Sequence, residues 1–190
     1  RFQEALSQNS KVVVEASALV TLFFSGLYKS VLNPPFSLVV TEGSLQLFRG
    51  LTSLRDSRAF SERLLRMGQR GVYVHERSKD EVEAGILNIN GFCDWLDDSC
   101  EIVGGEAQAS LEKGVKEEVK TLFGRLSLKS IAVALANNLP IWTDDYAIAE
   151  QFIQMGGVGR SWTDATFCFL EERHCFSTES LVDLKLFLLD

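Results

Sequence analysis

Two short apolar runs, Val12-Val13-Val14 and Leu38-Val39-Val40, constrain this chain more than any other feature, because each reads as a buried strand and a helix separates them. That helix runs from about Ser17 to Lys29, and Asn33-Pro34-Pro35 breaks the chain before the second strand. Strand, helix, strand implies a parallel pair, since a tight turn cannot return the chain in the same direction. The alternation continues with a helical region from Gly43 to Met67 and a short strand at Val72 to Val74, placed at an edge of the sheet. From Lys79 to Asp98, Val82, Ile86, Ile89, Cys93 and Leu96 recur at steps of three and four, as one buried helix face requires. A strand at Cys100 to Val103 and a charged helix from Glu106 to Phe123 follow, then a helix through Asn137 with Ser127 as its N-cap. A strand at Ile141 to Thr143, a helix from Tyr146 to Met155, a last strand within Val158 to Trp162 and two terminal helices complete the pattern. The expectation is a single three-layer α/β/α domain over residues 1–190, with a central, largely parallel sheet.

Size supports one core: 190 residues, 46% of them hydrophobic, can bury roughly 70% of the unfolded chain's surface. The longest apolar stretch, Ala16 to Leu27, falls short of the roughly 20 residues a membrane span needs, so no membrane partner is expected. The chain begins at Arg1, consistent with a domain excised from a longer polypeptide. Cys93 and Cys100, like Cys168 and Cys175, are spaced by seven, which is helical spacing and not that of a zinc knuckle. Buried thiols in a reducing cytoplasm fit best. At the C-terminus, Leu181 to Leu189 leaves little polar face, so that helix packs in the core, on a second copy of the chain or on a neighbouring domain.

Net charge is −7, yet between Arg49 and Lys79 eight basic residues face only Asp56, Glu62 and Glu76, a local excess of +5. Carried on one helix, Arg55, Arg58, Arg63, Arg66 and Arg70 would fall within an arc of about 140°. Such a stripe could follow successive phosphates, which would reconcile an acidic chain with a nucleic-acid partner and makes Arg63, Arg66 and Arg70 its expected contacts. A merely solvated helix face is the alternative.

The chemistry is expected where the strands end, since ligands of open parallel sheets bind outside the strands' carboxyl ends. Glu15 ends the first strand, Glu42 follows the second, and Asp144 and Asp145 follow the strand at Ile141. Clustered carboxylates repel, and a hard cation such as Mg²⁺ or Mn²⁺ relieves that repulsion by taking their oxygens as ligands. Held with open coordination positions, such an ion could activate water for phosphodiester hydrolysis. Acidic residues after a strand are also ordinary helix caps, a reading open for Asp144, Asp145 and Glu42. For Glu15 it is harder to sustain, because a buried carboxylate without a partner is costly.

Val12-Val13-Val14-Glu15-Ala16-Ser17-Ala18-Leu19 resembles the opening of PIN domains, a hydrophobic strand followed by Asp, x, Ser, x, Leu. The run from Ser130 through Pro140 to Thr143-Asp144-Asp145 is similar to that family's small-residue helix, strand and Thr-x-Asp signature. Residues from about 50 to 123 form a divergent middle. The resemblance implies a metal-dependent endoribonuclease that hydrolyses RNA with Mg²⁺ or Mn²⁺, through catalytic Glu15, Asp144 and Asp145, with Glu42 as a further ligand. Ser17 and Thr143 match the family's site hydroxyls. The acidic set departs from the family's: Glu15 stands for the first Asp, the second acid's position holds Gln46 with Glu42 one turn earlier, and the third holds Ser127. Ser127 is thereby a substrate contact and not an anionic ligand. The alternative implied by these departures is a degenerate PIN-like domain that binds nucleic acid or protein without turnover.

Overall fold

A computed structural model of the chain describes residues 11–31, 34–53, 63–68, 71–76, 78–104, 106–107 and 111–175, with backbone alone at 52–53, 63–68 and 71–76. Its centre is a five-stranded, all-parallel sheet in the order β5-β2-β1-β6-β7. The strands are β1 (Lys11–Val14), β2 (Ser37–Thr41), β5 (Cys100–Val103), β6 (Ile141–Trp142) and β7 (Arg160–Ser161). The first apolar run therefore lies at the middle of the sheet and the second beside it, as the sequence indicates.

Side chains alternate across the sheet and divide the core in two. Val12, Val14, Leu38, Val40 and Trp142 point to one face. There they meet α1 (Ala16–Ser25), α2 (Glu42–Ser53), α3 (Lys79–Ser99) and α6 (Thr163–Glu172). Val13, Val39 and Ile141 point to the other, against α4 (Lys113–Ala136) and α5 (Tyr146–Gln154). On the first face Phe92 of α3 is the aromatic hub, with ring centroids 4.8 Å from Phe48 and Tyr28, 5.4 Å from Phe23 and 5.6 Å from Trp95. The helix is secured at its start by a reciprocal capping box of Ser78 and Glu81.

The divergent middle departs from the expected pattern. The helix that was to extend from Gly43 to Met67 is described only as far as Ser53, and residues 63–68 form β3 (Arg63–Gly68). β3 pairs antiparallel with β4 (Gly71–Glu76), from Arg63 opposite Glu76 to Gly68 opposite Gly71. The expected strand at Val72 to Val74 thus exists, but in a separate two-stranded sheet and not at the edge of the central one. Glycines flanking a two-residue connection favour a hairpin over a continued helix, and Val72-Tyr73-Val74 suits a strand. The single helix on which the arginine stripe is premised does not hold at Arg63 and Arg66, which lie on β3. Arg55, Arg58 and Arg70 lie outside the described residues, as do 176–190 with the C-terminal apolar segment.

Among the described residues no helix is long and apolar enough to cross a membrane. All four cysteines are free thiols, with Cys93 buried and the others partly so. Burial raises the Cys100 thiol to about 12, with Asp97 adding to the effect.

Two outcomes follow from this packing. Phe92→Ala should cost about 3–5 kcal/mol, read as a fall in the urea midpoint, because it empties the junction of four rings. Cys100, being protonated well above neutrality, should alkylate with iodoacetamide at pH 8 far more slowly in the native protein than in urea. Equal rates would show that the thiol is not held in the folded structure as described.

Candidate functional site

β1 and β6 are adjacent and parallel, with Val14 opposite Trp142, so Glu15 and Thr143 emerge side by side at the sheet's carboxyl edge. The Glu15 amide donates to the Trp142 carbonyl at 2.8 Å and extends the pairing by one step. Glu15 is only 1% exposed, and its carboxylate is satisfied by hydrogen bonds from its own helix and from two distant elements. Oε2 accepts the Ser17 amide at 2.8 Å, the Ser17 hydroxyl at 2.7 Å and the Thr143 hydroxyl at 3.2 Å, while Oε1 accepts the Ser127 hydroxyl at 2.9 Å. It is the N-cap of α1. The partner that its burial demands is therefore a set of hydroxyls and an amide.

The two hydroxyls that donate to Oε2 also lie against each other and accept backbone amides. Ser17 and Thr143 are 3.0 Å apart, the Ser17 oxygen accepts the Asp144 amide at 2.9 Å, and the Thr143 oxygen accepts the Asp145 amide at 3.2 Å. Asp145 then turns its Oδ1 to the amides of Ala147 and Ile148, at 2.8 and 3.1 Å, and caps α5. Ser127 differs from its expected role as an N-cap, since it sits inside α4 beyond a break at Gly124, whose φ of 82° interrupts the helix. A left-handed backbone there needs glycine, and the break starts a new helical run that carries Ser127 to Glu15.

Glu15, Ser17, Ser127 and Asp145 line a cleft of about 480 Å³, together with Val20, Leu122, Phe123, Gly124, Arg125, Leu126 and Ile148. Thr143 is buried directly behind them. Asp144 and Glu42 do not join this group. Both oxygens of Asp144 are directed to Thr163, accepting its amide at 2.7 Å and its hydroxyl at 2.6 Å, on the side of a second pocket. Glu42 is exposed in the first turn of α2. The next residue, Gly43, lies where an added Cβ would come within 3.1 Å of Leu126 and 3.2 Å of the Lys129 stem, so α2 approaches α4 by virtue of a glycine. Among the described residues no three His, Cys, Asp or Glu side chains converge as metal ligands.

Sequence reasoning missed the apolar wall of the cleft and Arg125. The one available signal was Gly124 between two helical patterns, which marks a break without saying where the flanking residues point. The match of residues 13–150 is to the family described as the PIN domain associated with the TPR-GreAB-C-PIN system. No curated protein matches the chain.

The site makes one prediction directly. Ser127→Ala leaves Glu15 Oε1 buried without its donor and should lower unfolding free energy by about 1–3 kcal/mol in urea titrations. No measurable change would mean that Ser127 does not satisfy this carboxylate.

Proposed function

The chain belongs to the PIN domain family, within the PIN-like nuclease superfamily, and from that premise we propose that it is a catalytically silent PIN domain retained as a binding module. PIN domains generally depend on a divalent metal, so the donor set at the strand ends is what tests the reading. The observation that carries it is the state of Glu15: four hydrogen bonds occupy its carboxylate, and a serine hydroxyl stands at the position where the family resemblance calls for an acid. Three of these bonds fall on Oε2 and one on Oε1, so the carboxylate is engaged in holding three elements together and keeps one open lone-pair site, on Oε1.

Asp145 adds a single oxygen, Oδ2, since its Oδ1 already takes two backbone amides, and Arg125 lines the same cleft with a competing positive charge. A hard cation held by protein carboxylates and substrate phosphates needs oxygens free to ligate. Glu15 and Asp145, with Asp144 turned away and Glu42 outside the cleft, do not fit Mg²⁺ or Mn²⁺ as arranged. We derive no hydrolytic step from them.

The cleft wall is chiefly apolar, with Val20, Leu122, Phe123, Leu126 and Ile148 beside Arg125, and Leu122 is 61% exposed. Such a wall favours a protein segment as its occupant. The family's description ties it to a system of TPR and GreAB-C domains, and we place this chain beside such domains, in a cytoplasm that keeps its thiols free. RNA association is the second reading, favoured by the basic excess from Arg49 to Lys79. It predicts salt-dependent binding that weakens when Arg63, Arg66 and Arg70 are changed together.

Calorimetric Mn²⁺ titration and cleavage of a single-stranded RNA test the main reading. The wild type should show no site tighter than ~1 mM and no Mn²⁺-dependent cleavage, whereas Ser127→Asp, which places a second carboxylate against Glu15, should gain Mn²⁺ affinity. Metal-dependent cleavage by the wild type, lost in Asp145→Asn, would overturn the proposal and restore the nuclease assignment.

A further inference from the structure

A second pocket, of about 310 Å³, opens beside the cleft and is lined by Thr21, Asp144, Tyr146, Trp162, Thr163 and Asp164. We propose that it binds an arginine side chain of a partner protein. The inference does not depend on whether the neighbouring cleft is catalytic.

The lining combines two exposed carboxylates with two aromatic rings and, among the described residues, contains no cationic one. Tyr146 is 67% exposed, and its ring centroid lies 6.2 Å from that of the half-buried Trp162, at an interplanar angle of 50°. A guanidinium is planar and weakly hydrated, so it stacks on such rings while its N–H groups reach carboxylate oxygens. A phosphate-bearing ligand would meet two negative charges instead.

The ring pair already accepts one guanidinium. Arg160 lies 5.1 Å from the Trp162 centroid and 5.8 Å from that of Tyr146, yet it does not line the pocket. Its charge is offset by an ion pair with Glu150. Among the described residues the pocket lining therefore brings no guanidinium of its own.

Asp144 is held in place for this role. The buried Trp142 indole donates to the Thr163 hydroxyl at 3.0 Å, and that hydroxyl donates to Asp144 Oδ2 at 2.6 Å. With the Thr163 amide on Oδ1, each carboxylate oxygen is fixed by one bond, and each has a lone pair left for a second donor. Asp164, in the first turn of α6, supplies the second charge.

The test follows the Trp162 indole N–H by NMR as the protein is titrated with a blocked tri-arginine peptide, its citrulline counterpart and GMP. The arginine peptide should shift that signal saturably, with an effect that weakens as salt rises, and the neutral citrulline peptide should not. Tyr146→Ala and Asp164→Asn, both at exposed side chains, should each weaken binding by about twofold to fivefold. Asp144→Asn, which also takes one acceptor from Thr163, should weaken it further in a protein that remains folded. A shift with GMP but not with the arginine peptide would overturn the proposal in favour of a nucleobase. Equal response to the citrulline peptide, or none to any probe, would also overturn it.

Discussion

The Glu15 carboxylate is the junction on which the upper edge of this domain depends. It ends the central strand, caps the helix that follows, and reaches through Ser127 to α4 and through Thr143 to the neighbouring strand. Ser127 and Thr143 lie 112 and 128 residues beyond Glu15 in sequence, and the placement of their elements against β1 and α1 sets the cleft. A buried carboxylate is tolerable only because every donor around it is positioned by secondary structure. Its stabilising value is therefore inseparable from the fold that supplies those donors.

The same hydroxyls that suit a structural carboxylate make a poor metal seat. A hydroxyl donating to Glu15 uses the lone pair an ion would need, and serine at position 127 brings a donor where a ligand carboxylate would bring charge. Asp144 and Asp145, adjacent in sequence, turn to opposite duties: Asp145 caps α5 at the edge of the cleft, and Asp144 is bound to the start of α6. Two neighbouring carboxylates thus serve two pockets. The acidic pair that looked like one site in the sequence is divided by the backbone turn between them.

The architecture was readable because burial on both faces of the sheet leaves an unmistakable mark: the apolar runs at Val12 and Leu38 and the three-four spacing in α3 each have a single sensible solution. The middle was not. From Gly43 to Met67 the composition allows a helix, and only pairing with residues 71–76 makes residues 63–68 a strand. Local propensity there is weak enough for a tertiary partner to decide. A helical period therefore does not apply at Arg63 and Arg66.

By itself the sequence determined the parallel sheet, the positions of its principal strands and the arrival of Glu15, Thr143 and Asp145 at one edge, because these follow from hydrophobic period and from strand ends. Only the tertiary structure decided what those groups do. Ser127 meets Glu15 because Gly124 redirects α4, and Tyr146 meets Trp162 because β6 and β7 are paired. Periodicity reports which face a residue occupies, whereas hydrogen-bond saturation is set by which distant elements share that face.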